Sequence, residues 1–311
     1  MQPINYSIII PHYNIPNLLM RCLNSIPVRS DIQVIVVDDC SPGADNFLSD
    51  YPLLSRPFLE YYSTKKGGSA GRARNVGLDH AKGKWLVFAD ADDFFEDGFV
   101  CTLDSLVDSE HDLIVFNYRS VLSEDVSVSS DRDDSHHVYL QSYPKRDTYA
   151  RAYFPCPWAK MVRRSLVEDY HIRFDETRWS NDFYFSTAIG CFANTISIDN
   201  HFLYVICKRQ NSLTSHFCES LDENLVRAEV AVRCLNLSCS HHYILDDVEH
   251  PLIFIMGKLL KKNKRLFFTL YSQLTIEAEK VFYTQFCNNA SWKRKLLMWF
   301  LRRLFYIRNR K

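Results

Sequence analysis

The chain has no CxxC pair, no apolar run near the roughly 18 residues that span a bilayer, and no surplus of either charge. Its ten cysteines are scattered without metal-ligand spacing, and the N-terminus lacks the basic and long apolar regions of a secretory signal. These absences argue against a disulfide framework, a zinc finger and a membrane span, and predict reduced thiols in a cytoplasmic protein. Lys plus Arg equals Asp plus Glu at 37 each, so nothing in the balance points to nucleic acid as a partner. After Glu279 acidic residues are absent altogether, whereas Ser291 to Lys311 holds eight basic ones.

What is present is a globular composition. The 311 residues are 47% hydrophobic and 24% charged, enough for about two domains with a substantial core. Tyr6-Ser7-Ile8-Ile9-Ile10-Pro11 reads as a buried strand stopped by proline. A helix follows, with Leu18, Leu19, Cys22, Leu23 and Ile26 as its apolar face, Pro16 in its first turn, and Asn14 or Asn17 as cap. Gln33 to Val37 is a second strand, ending in Asp38-Asp39-Cys40-Ser41. This spacing is that of a βαβ unit with a right-handed crossover. Phe58 to Tyr62 is a third strand. It leads into Lys66-Gly67-Gly68-Ser69-Ala70-Gly71-Arg72-Ala73-Arg74-Asn75, where glycine admits close backbone approach and the next helix offers free N–H groups to a phosphate. Ala70, Ala73, Val76 and Leu78 are its expected packing residues, and only one of Arg72 and Arg74 should face inward.

The apolar run Trp85-Leu86-Val87-Phe88 then delivers Asp90, Asp92 and Asp93. Burying one unpaired carboxylate is expensive, so three at a strand end must line an open cleft, be protonated, hold a cation, or simply cap the next helix. Ligands of open α/β sheets bind beyond the carboxyl ends of strands, and clustered carboxylate oxygens suit Mg²⁺ or Mn²⁺. Further along, Gly98 to Val107 reads as a helix, His111 to Phe116 as a strand, Ser120 to His137 as a loop or exposed hairpin, and Ser165 to Tyr170 as a short helix. Trp179-Ser180-Asn181-Asp182-Phe183 opens another helix, which Asn181 or Asp182 could cap. A strand from Ile196 to Ile206 runs into Lys208 to His216, whose basic and hydroxyl groups suit a diphosphate.

The ordered set Ser7-Ile8-Ile9-Ile10-Pro11-x-Tyr13-Asn14, Val36-Val37-Asp38-Asp39-x-Ser41, Gly68-x-x-x-x-Ala73-Arg74-Asn75 and Phe88-x-Asp90-x-Asp92-Asp93 resembles the family-2 glycosyltransferases. Trp158-x-Lys160-Met161, Asn181-Asp182 and Arg209-x-x-Ser212-Leu213-Thr214 extend the resemblance over roughly residues 4 to 216. It implies the GT-A fold, an α/β architecture with a Rossmann-like, mostly parallel central sheet flanked by helices. Residues 1–216 would be the nucleotide-sugar-binding and catalytic domain, and 217–311 a helical C-terminal region with a basic amphipathic tail.

The resemblance further implies a metal-dependent, inverting transfer from a UDP-sugar to a hydroxyl of a glycan or lipid-linked acceptor, in capsule or O-antigen synthesis. Asp92, with Asp90 and His216, would hold Mn²⁺ or Mg²⁺. Pro11 and Tyr13 would line the nucleotide pocket, Asp39 would take the uracil side, and Gly68, Arg74, Asp90, Arg209 and Ser212 would serve the ribose and diphosphate. Asp182 would be the general base. The family commonly has Glu-Asp where this chain has Asn181-Asp182. Trp158 and Trp179 could stack on an acceptor sugar or be core aromatics.

Two other readings of the residues stay open. One is a sugar nucleotidyltransferase, against which His12-Tyr13-Asn14 stands where a glycine-rich signature is expected. The other is a non-catalytic nucleotide-sugar-binding scaffold. The last third reads as helices from about Leu221 to Tyr283, for example with Leu252, Ile255, Met256, Leu259 and Leu260. Trp292 to Arg308 then combines tryptophans, aliphatics and cations as a helix lying in an anionic membrane surface does, predicting a peripheral place on the inner face of the cytoplasmic membrane. The same helix could instead pack its apolar side on the catalytic domain.

Overall fold

Tyr6–His12 (β1) and Ile32–Asp38 (β2) are buried at every position, as β-branched runs at the centre of a parallel sheet must be. In the computed structural model the described residues are 3–43, 56–132, 134–209 and 220–288, with 295, 298–299, 301–303 and 305–306 of the tail. The chain divides into two compact units, Met1–Ser215 and His216–Lys311.

In the first unit, β1 and β2 are joined by Leu59–Ser63 (β3), Trp85–Phe88 (β4), Phe94–Phe95 (β5), Leu113–Leu122 (β6), Lys160–Arg163 (β7) and Ile196–Lys208 (β8). They form one sheet in the order β3-β2-β1-β4-β7-β6-β8-β5. The β3-β2-β1-β4 half is parallel throughout. Beyond it β7 runs antiparallel to both β4 and β6, β8 is parallel to β6, and β5 is antiparallel to β8. The parallel half therefore places the carboxyl ends of β2, β1 and β4 side by side at one edge.

The described helices of this unit are Pro16–Asn24 (α1), Ala70–His80 (α2), Phe99–Ser105 (α3), Asp134–Ser142 (α4), Arg146–Ala152 (α5), Arg164–Asp169 (α6) and Phe183–Phe192 (α7). Several details differ from the sequence pattern. Neither asparagine caps α1, whose N-cap is Ile15 without a side-chain bond. The segment from Ser120 to His137, expected as a loop or exposed hairpin, finishes β6, turns back in a short antiparallel hairpin bridged between Val121 and Ser129, and starts α4. Polar composition hid these elements because β6 borrows its regularity from β8, a tertiary neighbour.

The buried face of α2 meets the expectation only at Ala73. Val76 and Leu78 are only half-buried, whereas Gly71, Ala73, Arg74, Asn75 and Gly77 are buried. A Cβ on Gly77 would lie 2.4 Å from Ile9 Cγ2 of β1, so glycine sets how closely helix and sheet approach.

The second unit is helical: Leu221–Ser240 (α8), Pro251–Lys262 (α9), Lys264–Tyr271 (α10) and Ile276–Asn288 (α11). Ser220 caps α8 by accepting from the Glu223 N–H at 3.0 Å. Leu252, Met256, Leu259, Phe267, Ala278 and Phe282 are fully buried. Of the tail, Met298 and Phe305 are buried, and the Phe305 ring lies 5.6 Å from Tyr271. Arg302 lies over the Tyr283 ring at 4.3 Å and 3.4 Å from Glu279. The described apolar side of the tail thus packs on α10 and α11 of its own unit. Among the described residues no helix is long and apolar enough to cross a membrane.

Candidate active site at the carboxyl edge of the parallel strands

The ends of β1 and β2 are tied together by His12 and Asp38, to neither of which the sequence assigned a role. Asp38, fully buried, accepts from His12 Nδ1 at 2.8 Å and from the Ser41 N–H and hydroxyl at 2.7 and 2.6 Å. Burial works against this carboxylate, but the bonds from His12 and Ser41 outweigh it and hold its pKa below the usual range. His12 Nε2 accepts from the Ile15 N–H, which assigns the ring proton to Nδ1, facing Asp38. Ser41 Oγ accepts from the Asn14 N–H at 2.7 Å. The turn His12 to Ile15 is fixed on both sides, with Pro11 buried in β1 and Tyr13 standing 56% exposed at the edge.

Asp39 follows directly. Its carboxylate accepts from Thr64 Oγ1 at 3.0 Å and from the Gly68 N–H at 2.8 Å, so it anchors the glycine-rich turn before α2. A carboxylate has about four acceptor positions, and these bonds occupy two. A Cβ on Gly67 would meet the Asp39 carbonyl at 2.8 Å, which explains one glycine of the turn.

Helix α2 then does two things at once. Arg74, 3% exposed, places one guanidinium nitrogen 2.5 Å from Asp90 Oδ1 and another 2.9 Å from Asn181 Oδ1. Its neighbour Asn75 exchanges a pair of hydrogen bonds with the backbone of Phe174 at 3.0 and 2.9 Å. Gly71 lies against Asp175, whose carbonyl would be 2.0 Å from an added Cβ. Arg72 faces outward to Glu176 at 2.9 Å, so Arg74 is the inward arginine. The Ala73-Arg74-Asn75 motif thus fastens the segment carrying Asn181 and Asp182 to the end of β4.

At that end, Asp90, Asp92 and Asp93 bring carboxylate oxygens within 4.8 Å of one another. The Asp90 N–H donates to the Tyr204 hydroxyl at 2.7 Å, and Tyr204 stacks on Trp158, both rings being buried. Asp92 Oδ2 is 2.8 Å from Arg209 Nε in an ion pair without hydrogen-bond geometry. The Asp92 carbonyl accepts from Arg21 at 2.5 Å. Asp93 is fully buried; its Oδ1 accepts from the Cys207 N–H at 2.7 Å, while its Oδ2 has no partner. Burial, then Asp92 and Asp90, push the Asp93 carboxyl well above the ordinary range, and burial and Asp90 raise Asp92. Clustered, repelling oxygen donors with one orphaned buried atom fit a hard divalent cation.

Asp182 occupies the N-cap of α7 without a side-chain capping bond, although its carbonyl accepts from the Ser186 N–H at 2.9 Å. Its charge is felt by Lys160, a fully buried lysine whose Nζ donates to the Phe154 carbonyl at 2.9 Å and sits 4.6 Å above the Phe154 ring. Burial brings the Lys160 ammonium down to about 7, with Cys156 and Asp182 partly opposing. Trp158 is a core aromatic, whereas Trp179 is half-buried beneath Arg178. Ser212 and His216 lie outside the described residues. His12, Asp38 and Arg21 were given no role from sequence because their partners lie far off in the chain: His12 and Asp38 meet only once β1 pairs with β2, and Arg21 reaches the Asp92 and Ser123 carbonyls. The Asp38-Asp39 doublet was the available signal for one of them.

Residues 7–171, more than half of the chain, match Glycosyl transferase family 2. The chain belongs to this family. Relatives of this family-2 chain include glycosyltransferase GlyA of Streptococcus pneumoniae, 27% identical over 235 residues. That match covers 71% of this chain and 33% of GlyA. The poly(ribitol-phosphate) beta-N-acetylglucosaminyltransferase TarS of Staphylococcus aureus is 25% identical over 240 residues, 74% of this chain and 40% of TarS. This chain therefore spans less than half the length of either relative. The TarS 1-349 crystal structure with UDP-GlcNAc superposes with a TM-score of 0.67 at 19% identity, covering 96% of this chain and 87% of that one. A mannosyltransferase of Pyrobaculum calidifontis with GDP-Man and Mn²⁺ gives a TM-score of 0.54 at 17% identity, covering 98% and 81%. These likenesses place the fold of this family-2 chain among the GT-A structures.

Proposed function

We propose that this chain is a metal-dependent, inverting glycosyltransferase that moves a sugar from a UDP-linked donor to a hydroxyl of a glycan or lipid-linked acceptor in surface polysaccharide synthesis. The observation that carries the reading is the Asp90, Asp92 and Asp93 cluster at the end of β4, with Arg74 and Arg209 on its two sides. The UDP-GlcNAc, GDP-Man and Mn²⁺ bound in the two structural neighbours support a nucleotide-sugar donor and a divalent cation.

Each side chain has a distinct task in this account. Tyr13 and Pro11 flank the base, and the free acceptor positions of Asp39 meet an N–H of uracil. The N–H groups at the start of α2, beyond Gly68, face phosphate oxygens. Asp92 and Asp90, with His216, would hold Mn²⁺ or Mg²⁺, which would supply Lewis-acid stabilisation of the charge on the departing diphosphate. Arg209 and Ser212 bind the diphosphate as its charge grows. Asp182, held by Asn181 and Arg74 and stabilised as a carboxylate by the α7 N-terminus, takes the proton of the attacking hydroxyl. The protein would work in the cytoplasm at the inner face of the cytoplasmic membrane, where lipid-linked acceptors lie.

The test is a thermal-shift screen of nucleotide sugars with and without Mn²⁺, followed by transfer assays on the donor that binds. A UDP-sugar that raises the melting temperature only with metal, and is turned over, supports the reading. Pyrophosphorolysis of that donor instead of transfer would favour the nucleotidyltransferase, and binding with equal behaviour of Asp92→Ala the scaffold.

A further inference from the structure

Overall neutrality conceals a division. From His250 onward the chain has fourteen Lys and Arg against two Glu, leaving twenty-three against thirty-five acidic residues before it. The described part of this basic region concentrates charge at one corner. Asn263 ends α9 and also caps α10, accepting from the Leu266 N–H at 3.2 Å, so the helices turn sharply there. Lys258, Lys261, Lys262, Lys264 and Arg265 flank it, and no acidic residue occurs between Glu249 and Glu277.

Both helices bury one side only. Leu252, Ile255, Met256 and Leu259 of α9 and Phe267, Leu270 and Tyr271 of α10 point into the unit. Outward stand Phe254 at 52% exposure, with Lys258 Nζ 5.2 Å over its ring, and Phe268 at 37%. Phe268 also lines an open groove of about 570 Å³ with Arg265, Thr269 and Ser272. Lys261, Lys264 and Arg265 have no ion-pair partner among the described residues. A solvated basic face would account for the lysines but not for two exposed phenylalanines among them.

We propose that the α9–α10 corner docks on an anionic lipid surface, Phe254 and Phe268 entering the interface and Lys261, Lys264 and Arg265 meeting lipid phosphates. Aromatic rings and cations in a stretch with no acidic residue between Glu249 and Glu277 match a negatively charged bilayer. The inference rests on the proposed membrane partner, and it moves the contact from the tail to this corner, since Met298 and Phe305 are already buried within the unit. For that reason truncation is a poor test and point variants of the full chain are better.

The experiment is co-sedimentation of the full chain with vesicles of phosphatidylcholine alone or mixed with phosphatidylglycerol. Vesicle binding only with phosphatidylglycerol, weakened by salt and about a hundredfold lower in Lys261→Gln/Lys264→Gln/Arg265→Gln, is the expected result. Phe254→Ser/Phe268→Ser should lose binding as well, which a solvated face would not. UDP affinity is measured on every protein, so an unfolded variant is recognised and a failure of donor binding is read separately from a failure of docking. Equal partitioning of variants and parent, equal binding to neutral vesicles, or capture by soluble polyphosphate with none by vesicles would each overturn the proposal.

Discussion

Replacing Asp93 by Asn should stabilise the metal-free protein near neutral pH, the reverse of the usual effect of altering a buried polar residue. Asp93 keeps company with two other carboxylates whose oxygens lie within 4.8 Å. At an effective dielectric of about 20, one such repulsion is worth about 3 kcal/mol. Partial protonation of Asp93 trims this, so the expected gain is about 1–3 kcal/mol. Asn retains an oxygen to accept from the Cys207 N–H, and its amide would replace the orphaned Oδ2 with a donor beside Asp90 and Asp92. The pH dependence has a definite sign. A folded pKa raised above the unfolded one gives stability that is full below the ordinary aspartate range and is lost as pH rises through the folded value. The parent should therefore lose stability from mildly acidic to neutral pH in chelator, and Asp93→Asn should lose less, keeping only the part due to Asp92. Because the chain has two units, hydrogen exchange of the β1 and β4 amides is the right assay, confining the readout to the first. Saturating Mn²⁺ should shrink the difference. If Asp93→Asn is no more stable than the parent in chelator and shows the same pH slope, the electrostatic account of the cluster is wrong.

Other perturbations probe the surroundings. Gly71→Ala should cost roughly 2–3 kcal/mol, because its Cβ would stand 2.0 Å from the Asp175 carbonyl, and should lower transfer through displacement of the Asp182 segment; urea unfolding and initial rates check both. Lys160 releases its proton more readily when folded, so between pH 7 and the cysteine range the unfolded chain binds more protons and stability should rise with pH. That rise, about 1.4 kcal/mol per pH unit at most, should be missing from Lys160→Met in parallel denaturation curves. Asp182→Asn should reduce turnover about 10²–10⁴-fold with donor affinity unchanged, and unchanged turnover would remove Asp182 as the base.

Much of the parallel half was legible because its strands are continuous apolar runs ended by acids or proline, signals that lie within a few residues. The grouping of Asp39, Arg74 and Asp90 at one edge follows from those strands being neighbours. The antiparallel β7 and the two-residue β5 were not legible, since Lys160–Arg163 and Phe94–Phe95 are too short to show a period and exist only through pairing with β4, β6 and β8. The buried face of α2 was misread for a related reason. Hydrophobicity marks Val76 and Leu78, but close approach to β1 and to Asp175 selects Gly77 and Gly71, and the site itself buries Arg74 and Asn75. Asn181, which departs from the family's Glu, acquires a meaning only in three dimensions. It is a neutral acceptor for Arg74, leaving that cation to offset Asp90.

The central claim is that the β4 carboxylates grip a donor's diphosphate by way of a divalent ion, and titration calorimetry of UDP into the parent and Asp92→Asn, each with Mn²⁺ or chelator, addresses it most directly. The account predicts that Mn²⁺ tightens UDP binding by about tenfold or more in the parent and has no effect in the variant. Equal affinity with and without Mn²⁺ in the parent, or an undiminished gain in Asp92→Asn, would contradict it.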